Sequence, residues 1–343
     1  MARRSPAQSG RPVSMADVAA LVGVSQQTVS RVVNHVPNVS EATAEKVERA
    51  IAELGFRPNF AGRSLRTGRY KTVGLCVYDL SQAGNLQTLE GISAAARENG
   101  YAITLLTLEE GEGTSLSKVA RRMATLPIDG LIVRVASMPD DFYEFEPAPD
   151  VSTVLLSMYS HPRCTTVESD QYACSTLALE HLAAYGHRQI RFVSGPADAI
   201  DSQYREAGWR EGLEAMGVAP ADPLTGDWGA DSGYEIGARL AADRSMTAVY
   251  AANDSMALGV IEALRDAGLR VPEDVSVIGV DDSLTGTVPN NSLTTVRFDL
   301  GGVGRIAFES VLAGLDEGRG ARTVRLSCEL VERSSVANAR PRA

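Results

Sequence analysis

The stretch VSMADVAALVGVSQQTVSRVVN occupies residues 13–34 and contains two short helical patterns separated by a glycine. Ser14 and Asp17 have the spacing of a capping box, in which a serine and a later acid satisfy free N–H groups at a helix start. Gly23 can end the first helix, and Ser25 can cap a second that runs from Gln26 to about residue 34. Two helices joined by a short glycine-containing turn are typical of a helix-turn-helix.

A third helical pattern completes a small bundle. Ser40 can cap a helix over 41–54, Gly55 can end it, and Pro58 prevents its continuation. Apolar residues at helical spacing would join the three helices: Val18, Leu21, Val22, Val29, Val32, Val33, Val47, Ala50, Ile51 and Leu54. Residues 13–58 are therefore predicted to form an all-α domain.

The outward face of the second helix carries Gln26, Gln27, Ser30 and Arg31. Glutamine can pair with the edge of adenine, and arginine with O6 and N7 of guanine. These side chains indicate a helix that reads the major groove of DNA. The alternative is a solvated polar face on a small helical bundle.

The charge distribution favours DNA over the solvated face. Residues 1–71 hold eleven Lys and Arg but five Asp and Glu, a net charge of +6, so the total of −10 leaves −16 for the remainder. A basic head is attracted to phosphates while an acidic body is repelled by them. Residues 1–12 are polar and without periodicity, and we expect a disordered arm there.

From residue 72 onward, strands alternate with helices. Strands are predicted at 72–78, 101–108, 128–133, 190–193, 248–251 and 275–280, and helices at 86–99, 115–126, 201–216, 231–242 and 254–267. This alternation predicts parallel, doubly wound sheets in two lobes, with a ligand cleft at the carboxyl ends of the strands. Asn253 and Asp281 follow two such strands, although both could instead cap helices.

Three segments of the head resemble the lactose-repressor/galactose-repressor family of bacterial transcription regulators: VSMADVA at 13–19, GVSQQTVSRVVN at 23–34 and RPN at 57–59. The resemblance implies that Gln26, Gln27 and Arg31 face base edges. It implies that Asn34, Asn38 and Thr43 lie near phosphates. The expected DNA-binding residues are Ser25, Gln26, Gln27, Ser30, Arg31, Asn34, Asn38, Thr43, Asn59 and Leu65.

The same resemblance implies a hinge helix over residues 59–70 that folds on DNA. In this family, two such helices enter the minor groove and each wedges a leucine into a base step, the place that Leu65 occupies here. Gly62 stands where alanine is usual, and it would cost about 0.8–1.0 kcal/mol in a helix interior. A flexible linker is the alternative, as Thr67-Gly68-Arg69 would suggest.

The body also resembles the family, through GDW at 226–228, ANDSMALG at 252–259 and GVDD at 279–282. The resemblance implies the fold of periplasmic sugar-binding proteins and a sugar in the cleft. The expected effector-binding residues are Tyr78, Arg134, Ser157, Arg205, Trp228, Asn253, Asp281 and Phe298. Ser157 and Phe298 depart from the family, in which an aspartate and a glutamine occur there. Arg134 could select an acidic or phosphorylated ligand, or could simply be solvated.

These observations predict a cytoplasmic transcription repressor. It would bind double-stranded operator DNA as a homodimer and be released by a mono- or disaccharide. We expect no tetramer, because no leucine heptad follows residue 338. There are two alternatives. The effector could act as a co-repressor that strengthens operator binding, or the chain could be a sugar-binding component of a transport system. We find no motif for an enzyme, a cofactor or a metal, and the four cysteines show no C-x-x-C spacing.

The predicted organisation has four parts. An arm covers residues 1–12, a helix-turn-helix domain 13–58, a hinge 59–70, and an effector-binding and dimerisation domain 71–340. Within the last part, one lobe is expected to comprise about 71–168 and 299–328. The other lobe would comprise about 169–298 and 329–340.

Overall fold

The computed structural model describes residues 13–33, 36–37, 39–56, 68–108, 115–317 and 320–340. The chain divides into two units, residues 1–70 and 71–343. The predicted arm over 1–12 and the hinge residues 59–67 lie outside the described residues. So do four of the expected DNA contacts: Asn34, Asn38, Asn59 and Leu65.

The first unit contains three helices: α1 (Met15–Val22), α2 (Gln26–Val33) and α3 (Glu41–Leu54). The capping box is present, since the backbone N–H of Ser14 donates to Asp17 Oδ2 over 2.9 Å and the Ser14 side chain accepts from Asp17 N. Gly23 adopts the left-handed conformation with φ of 75°. Val18, Val29 and Val47 form the fully buried centre of the bundle.

One expected core residue of the bundle is exposed. Leu21 was predicted on the inner face of α1 but is 49% exposed. The face that packs on the other helices consists of Met15, Val18, Ala19 and Val22. Because Leu21 projects beyond the edge of that face, helical spacing alone placed it wrongly.

The first lobe of the second unit is built on a six-stranded sheet whose paired strands are all parallel. Its strands are β1 (Thr72–Val77), β2 (Ala102–Thr107), β3 (Gly130–Arg134), β4 (Ser152–Leu156), β5 (Thr165–Ser169) and β11 (Thr323–Leu326). Their order is β2-β1-β3-β4-β5-β11. The helices of this lobe are α4 (Ala83–Glu98), α5 (Leu116–Met123) and α10 (Leu300–Glu317).

The second lobe repeats this plan with one reversed edge strand. Its strands are β6 (Ile190–Ser194), β7 (Leu224–Thr225), β8 (Ala248–Ala251), β9 (Ser276–Val280), β10 (Thr294–Phe298) and β12 (Cys328–Val331). Their order is β7-β6-β8-β9-β10-β12, and β12 pairs antiparallel to β10. The helices are α6 (Gln171–Ala184), α7 (Ile200–Ala215), α8 (Ala230–Leu240) and α9 (Asp254–Asp266). The predicted fold class, an all-α head and two doubly wound lobes, is confirmed.

Side-chain alternation along β1 divides the first-lobe core. Val73, Leu75 and Val77 pack on one face of the sheet, with residues of α4 and α10. Cys76 points to the other face, toward α5, and Tyr78 packs on that same face just beyond the strand. This is the period of two that any strand imposes, and it fixes which side chains can reach the strand ends.

The start of α7 joins the two lobes. Ile200 is buried in the core that contains Cys76 and Val133 of the first lobe. Its backbone N–H donates to Ala136 O over 2.9 Å, and Ala199 forms an isolated β-bridge with Ser137. The two lobes are therefore in contact at this helix start as well as at the points where the chain passes from one lobe to the other. No helix in the described part of the chain combines the length and hydropathy that spanning a bilayer requires.

A close approach of two helices gives a test of the first-lobe packing. A Cβ added at Gly91 of α4 would lie 2.1 Å from the carbonyl oxygen of Gly301 on α10. We predict that Gly91→Val destabilises the protein by about 1–3 kcal/mol, because the backbones must separate to admit the side chain. Thermal unfolding measures the effect, with Gly320→Val as the control, since nothing lies within 4 Å of a Cβ there. Equal melting temperatures for the two variants would contradict the close contact.

Candidate functional site

One face of α2 is presented to solvent in the first unit. Gln26, Gln27 and Arg31 are exposed, whereas Val29 and Val32 on the opposite face are buried. Ser25 is exposed and caps the helix, because its Oγ accepts from Thr28 N over 3.1 Å. Ser30 and Thr43 are half-buried. The described polar residues that are predicted to contact DNA are thus wholly or partly exposed.

A cavity of about 350 Å³ lies in the second unit, where the strands of both sheets end. Its described lining combines the carboxyl ends of β1, β3, β8, β9 and β10 with the starts of α4, α7 and α8. The volume is at the lower end of the usual range for small-molecule sites. Six of the eight predicted effector residues line it: Arg134, Arg205, Trp228, Asn253, Asp281 and Phe298.

Arg205 lies at the centre of the second-lobe wall and is 4% exposed. Its Nε donates to Gln171 Oε1 over 2.9 Å, its Nη1 donates to the carbonyl oxygen of Ala252, and its Nη2 lies 3.4 Å from Asp281 Oδ1. The guanidinium carbon lies 5.7 Å from the ring centre of Trp228 and 5.4 Å from that of Phe298. Two aromatic rings therefore flank one hydrogen-bonded arginine.

Trp228 is held in an uncommon backbone conformation. Its φ is 73°, in the left-handed region that disfavours a side chain of this size. Two contacts hold it there: its carbonyl oxygen accepts from Asn253 Nδ2 over 2.9 Å, and Gly195 leaves room for the indole. A Cβ at Gly195 would come within 2.3 Å of the ring. Strain of this kind occurs at ligand sites, where the surroundings over-determine one conformation.

Asp281 follows β9 with φ of 102° and is surrounded by protein. Burial raises its pKa to about 6, although the adjacent Arg205 lowers it. Its carboxylate is 16% exposed, so it faces the cavity. A carboxylate placed in this way can accept hydrogen bonds from ligand hydroxyl groups.

Arg134, at the end of β3, is largely buried and paired with two carboxylates. Its guanidinium pairs with Glu168 of β5 and with Asp201 in the first turn of α7. Burial lowers the pKa of Arg134, but Asp201 and Glu168 outweigh burial, so the pKa rises and the group stays protonated. Because Asp201 belongs to the other lobe, this group bridges the cleft.

Tyr78 and Ser157 do not line the cavity among the described residues. Tyr78 directs its ring into the core beside α5, on the face shared with Cys76. Ser157 is 1% exposed, and its Oγ accepts from Tyr159 N over 3.1 Å. The resemblance suggested both positions, but side-chain direction places both residues outside the lining.

Asn253 shows the alternative role considered for it as well as a place in the cavity wall. Its Oδ1 caps α9 by accepting from Met256 N over 2.9 Å, while its Nδ2 donates to Trp228 O. Asp281 caps no helix. Its neighbour Asp282 instead pairs with Arg297 and Arg333.

Sequence reasoning missed several charged lining residues: Asp79, Glu168, Asp201 and Asp227. Asp79 follows β1 and Asp227 follows β7, so the end-of-strand rule could have found both. Glu168 stands in a short, otherwise uncharged strand, which is a signal of a buried ion pair. Among the described residues, no three His, Cys, Asp or Glu side chains are grouped to hold a metal ion.

Comparisons with known proteins agree with this geometry in both units. Residues 14–59 match the model of bacterial regulatory proteins, lacI family, and residues 179–336 match a periplasmic binding protein-like domain. The lactose operon repressor of Escherichia coli (strain K12) is 31% identical over 304 residues, which cover 88% of this chain and 84% of that protein. This chain belongs to the lacI family of bacterial regulatory proteins.

Solved structures of related transcriptional regulators extend the likeness to three dimensions. A lac repressor dimer bound to operator and the anti-inducer ONPF superposes with a TM-score of 0.80 at 29% identity, covering 95% of this chain and 100% of that one. The complex of the transcriptional regulator CelR with cellobiose gives a TM-score of 0.68 at 29% identity, with the same coverage.

The environment of Asp281 predicts its titration. We expect its carboxyl ¹³C resonance to titrate with a midpoint near pH 6. Arg205→Gln should raise the midpoint further, because it removes the neighbouring positive charge that favours the carboxylate. Asp227 is the control: hydrogen bonds from Ser232 and Gly229 lower its pKa, and its titration should not respond to the substitution. A midpoint below 4 for Asp281 would show that burial does not control it.

Proposed function

We propose that this lacI family member represses transcription by binding operator DNA as a homodimer, and that a small sugar in the cleft cavity releases it. One observation supports this proposal above the others. A single chain combines an exposed Gln26, Gln27 and Arg31 face with a cavity in which Arg205 is paired with Asp281 and lies near two aromatic rings. The first feature suits base edges and the second suits a polyhydroxy ring.

In the proposed complex, α2 lies in the major groove. Gln26, Gln27 and Arg31 contact base edges, while Ser25, Ser30 and Thr43 lie close to the backbone. Two heads related by the dimer axis read two half-sites, so the operator is close to palindromic. The contacts that Asn34, Asn38, Asn59 and Leu65 would add lie outside the described residues.

The proposed signal passes through the angle between the lobes. A ligand in the cavity touches Arg205, Trp228 and Asp281 from one lobe and residues near the start of α4 from the other. It therefore has different affinities for more open and more closed arrangements. A difference of about 1–3 kcal/mol is typical of such coupling and changes operator affinity about 5- to 150-fold. The proposed role is binding rather than catalysis, as in the transcriptional repressors that this chain resembles.

The DNA-reading role of α2 gives a direct test. We predict that Arg31→Glu reduces affinity for the preferred site at least about tenfold, because an arginine–guanine pair is worth about 1–3 kcal/mol and the new charge repels phosphates. The site is first selected from random duplexes with the wild-type chain, and affinity is then measured by gel shift. Arg239→Glu is the control, because it reverses an exposed arginine on α8 of the body. Equal affinity for Arg31→Glu and the wild type would reject the assignment.

The aromatic wall gives a second test. A panel of neutral mono- and disaccharides, cellobiose included, is screened for an increase in melting temperature, because a bound ligand stabilises the folded state by mass action. The sugar that binds should change operator affinity in the gel shift: a loss indicates induction and a gain indicates co-repression. Trp228→Ala should lower the affinity for that sugar at least about tenfold, since the indole face is lost. Tyr234→Ala, on the exposed face of α8, should not. Unchanged binding by Trp228→Ala would contradict the proposed site.

A further inference from the structure

The cavity has an unusual balance of charge for a site with two arginines. Its described lining holds five carboxylates, from Asp79, Glu168, Asp201, Asp227 and Asp281, against the guanidiniums of Arg134 and Arg205. The formal balance is therefore negative. Which carboxylates are paired with which arginine determines the charge that a ligand would contact, more than the number of charged groups does.

The first arginine faces two carboxylates of the protein. One terminal nitrogen of Arg134 donates to Glu168, whose side chain is 2% exposed, and the other donates to Asp201. Two carboxylates on one guanidinium leave a local charge of −1. An anionic group brought to Arg134 would have to displace one of them, and Glu168 would then remain buried without its partner.

The second arginine is committed in a similar way. Arg205 uses Nε for Gln171, Nη1 for the carbonyl oxygen of Ala252, and Nη2 for Asp281. Its guanidinium carbon also lies within about 6 Å of the ring centres of Trp228 and Phe298. Each nitrogen of this guanidinium already has a protein partner, so a bidentate contact with a phosphate or a carboxylate would have to share nitrogens in use and would lie beside the Asp281 carboxylate.

Three helix starts are further positive features of the wall, and each has an acidic residue near it. The starts of α4, α7 and α8 line the cavity without a side-chain cap on the helix. Asp79 precedes α4 and accepts from Ser81 N over 2.8 Å, and Asp227 precedes α8 and accepts from Gly229 N over 2.8 Å. Asp201 lies in the first turn of α7. These carboxylates place negative charge near the helix starts, where it opposes the attraction of a helix dipole for a ligand anion.

We infer that the cleft rejects anionic ligands and takes a polyhydroxy compound without phosphate or carboxylate, because both arginines of its wall are paired with carboxylates of the chain and the formal charge of the described lining is negative. Glu168 and Asp201 are the specificity-determining residues. They hold Arg134 away from a ligand anion, and the carboxylates of the wall accept hydrogen bonds from ligand hydroxyl groups instead. This inference rests on the proposed role of the cavity as the effector site.

The test asks whether the cleft binds an anion once the two carboxylates beside Arg134 are removed. Glu168→Gln together with Asp201→Asn keeps hydrogen-bond acceptors beside Arg134 but removes both negative charges. With inorganic phosphate as the probe, isothermal titration should show at least about tenfold tighter binding to this double variant than to the wild type. Adding Arg134→Met should abolish the gain. The charge-matched control, Glu214→Gln with Glu235→Gln, removes two exposed carboxylates outside the cavity lining and should show no gain.

Two results would overturn the inference. One is Arg134-dependent binding of phosphate by the wild type. The other is an absence of gain in a double variant whose circular dichroism and unfolding transition are those of a folded protein. The single variants Glu168→Gln and Asp201→Asn, measured in the same way, replace the double variant if it does not fold.

A wild-type measurement is independent of any variant. Glucose, cellobiose and ribose are compared with glucose 6-phosphate, cellobionate and ribose 5-phosphate, and no anionic compound should bind as tightly as its neutral counterpart. An anionic compound that binds more tightly overturns the inference, and so does one that binds when its counterpart does not. If no compound binds, the phosphate titration decides. Failure of the proposed function is seen separately, as an absence of sequence-specific DNA binding both without ligand and with each compound of the panel.

Discussion

Parallel pairing of strands is the constraint on which the cavity depends. Parallel strands need crossover connections, which here contain helices. The carboxyl ends of all parallel strands in a sheet then lie at the same edge. In this protein both six-stranded sheets follow that rule apart from β12. Their carboxyl ends and the helix starts that follow them therefore face a common cleft. Side chains distant in sequence, such as Arg134, Asp201 and Asp281, meet there.

Burial of charge is the second determinant of the site. Groups removed from water need partners, and in the cleft Arg134 has two carboxylates while Arg205 has a carboxylate, an amide and a carbonyl oxygen. The Arg134–Asp201 pair also joins the two lobes. The same interaction can thus influence both ligand choice and lobe angle, and a change in either is expected to affect the other.

The sequence predicted the features that depend on local order. Strand and helix alternation, the capping box at Ser14 and the positions of Asn253 and Asp281 after strands all follow from neighbouring residues. The features it missed depend on register between distant elements. Glu168 meets Arg134 only because β3, β4 and β5 lie side by side. Tyr78 was expected in the cleft, but the alternation that places Cys76 toward α5 places its ring there too.

The central claim is that one chain couples the binding of a sugar in the cleft to the binding of operator DNA. The most direct test is to measure how operator changes the affinity for the sugar. The affinity of the bound sugar is measured by calorimetry for the free protein and for the protein–operator complex. We predict that operator changes the sugar affinity by a certain factor, and that the sugar changes the operator affinity by the same factor, since coupling between two binding sites is mutual. Equal sugar affinities in the presence and absence of operator would contradict it.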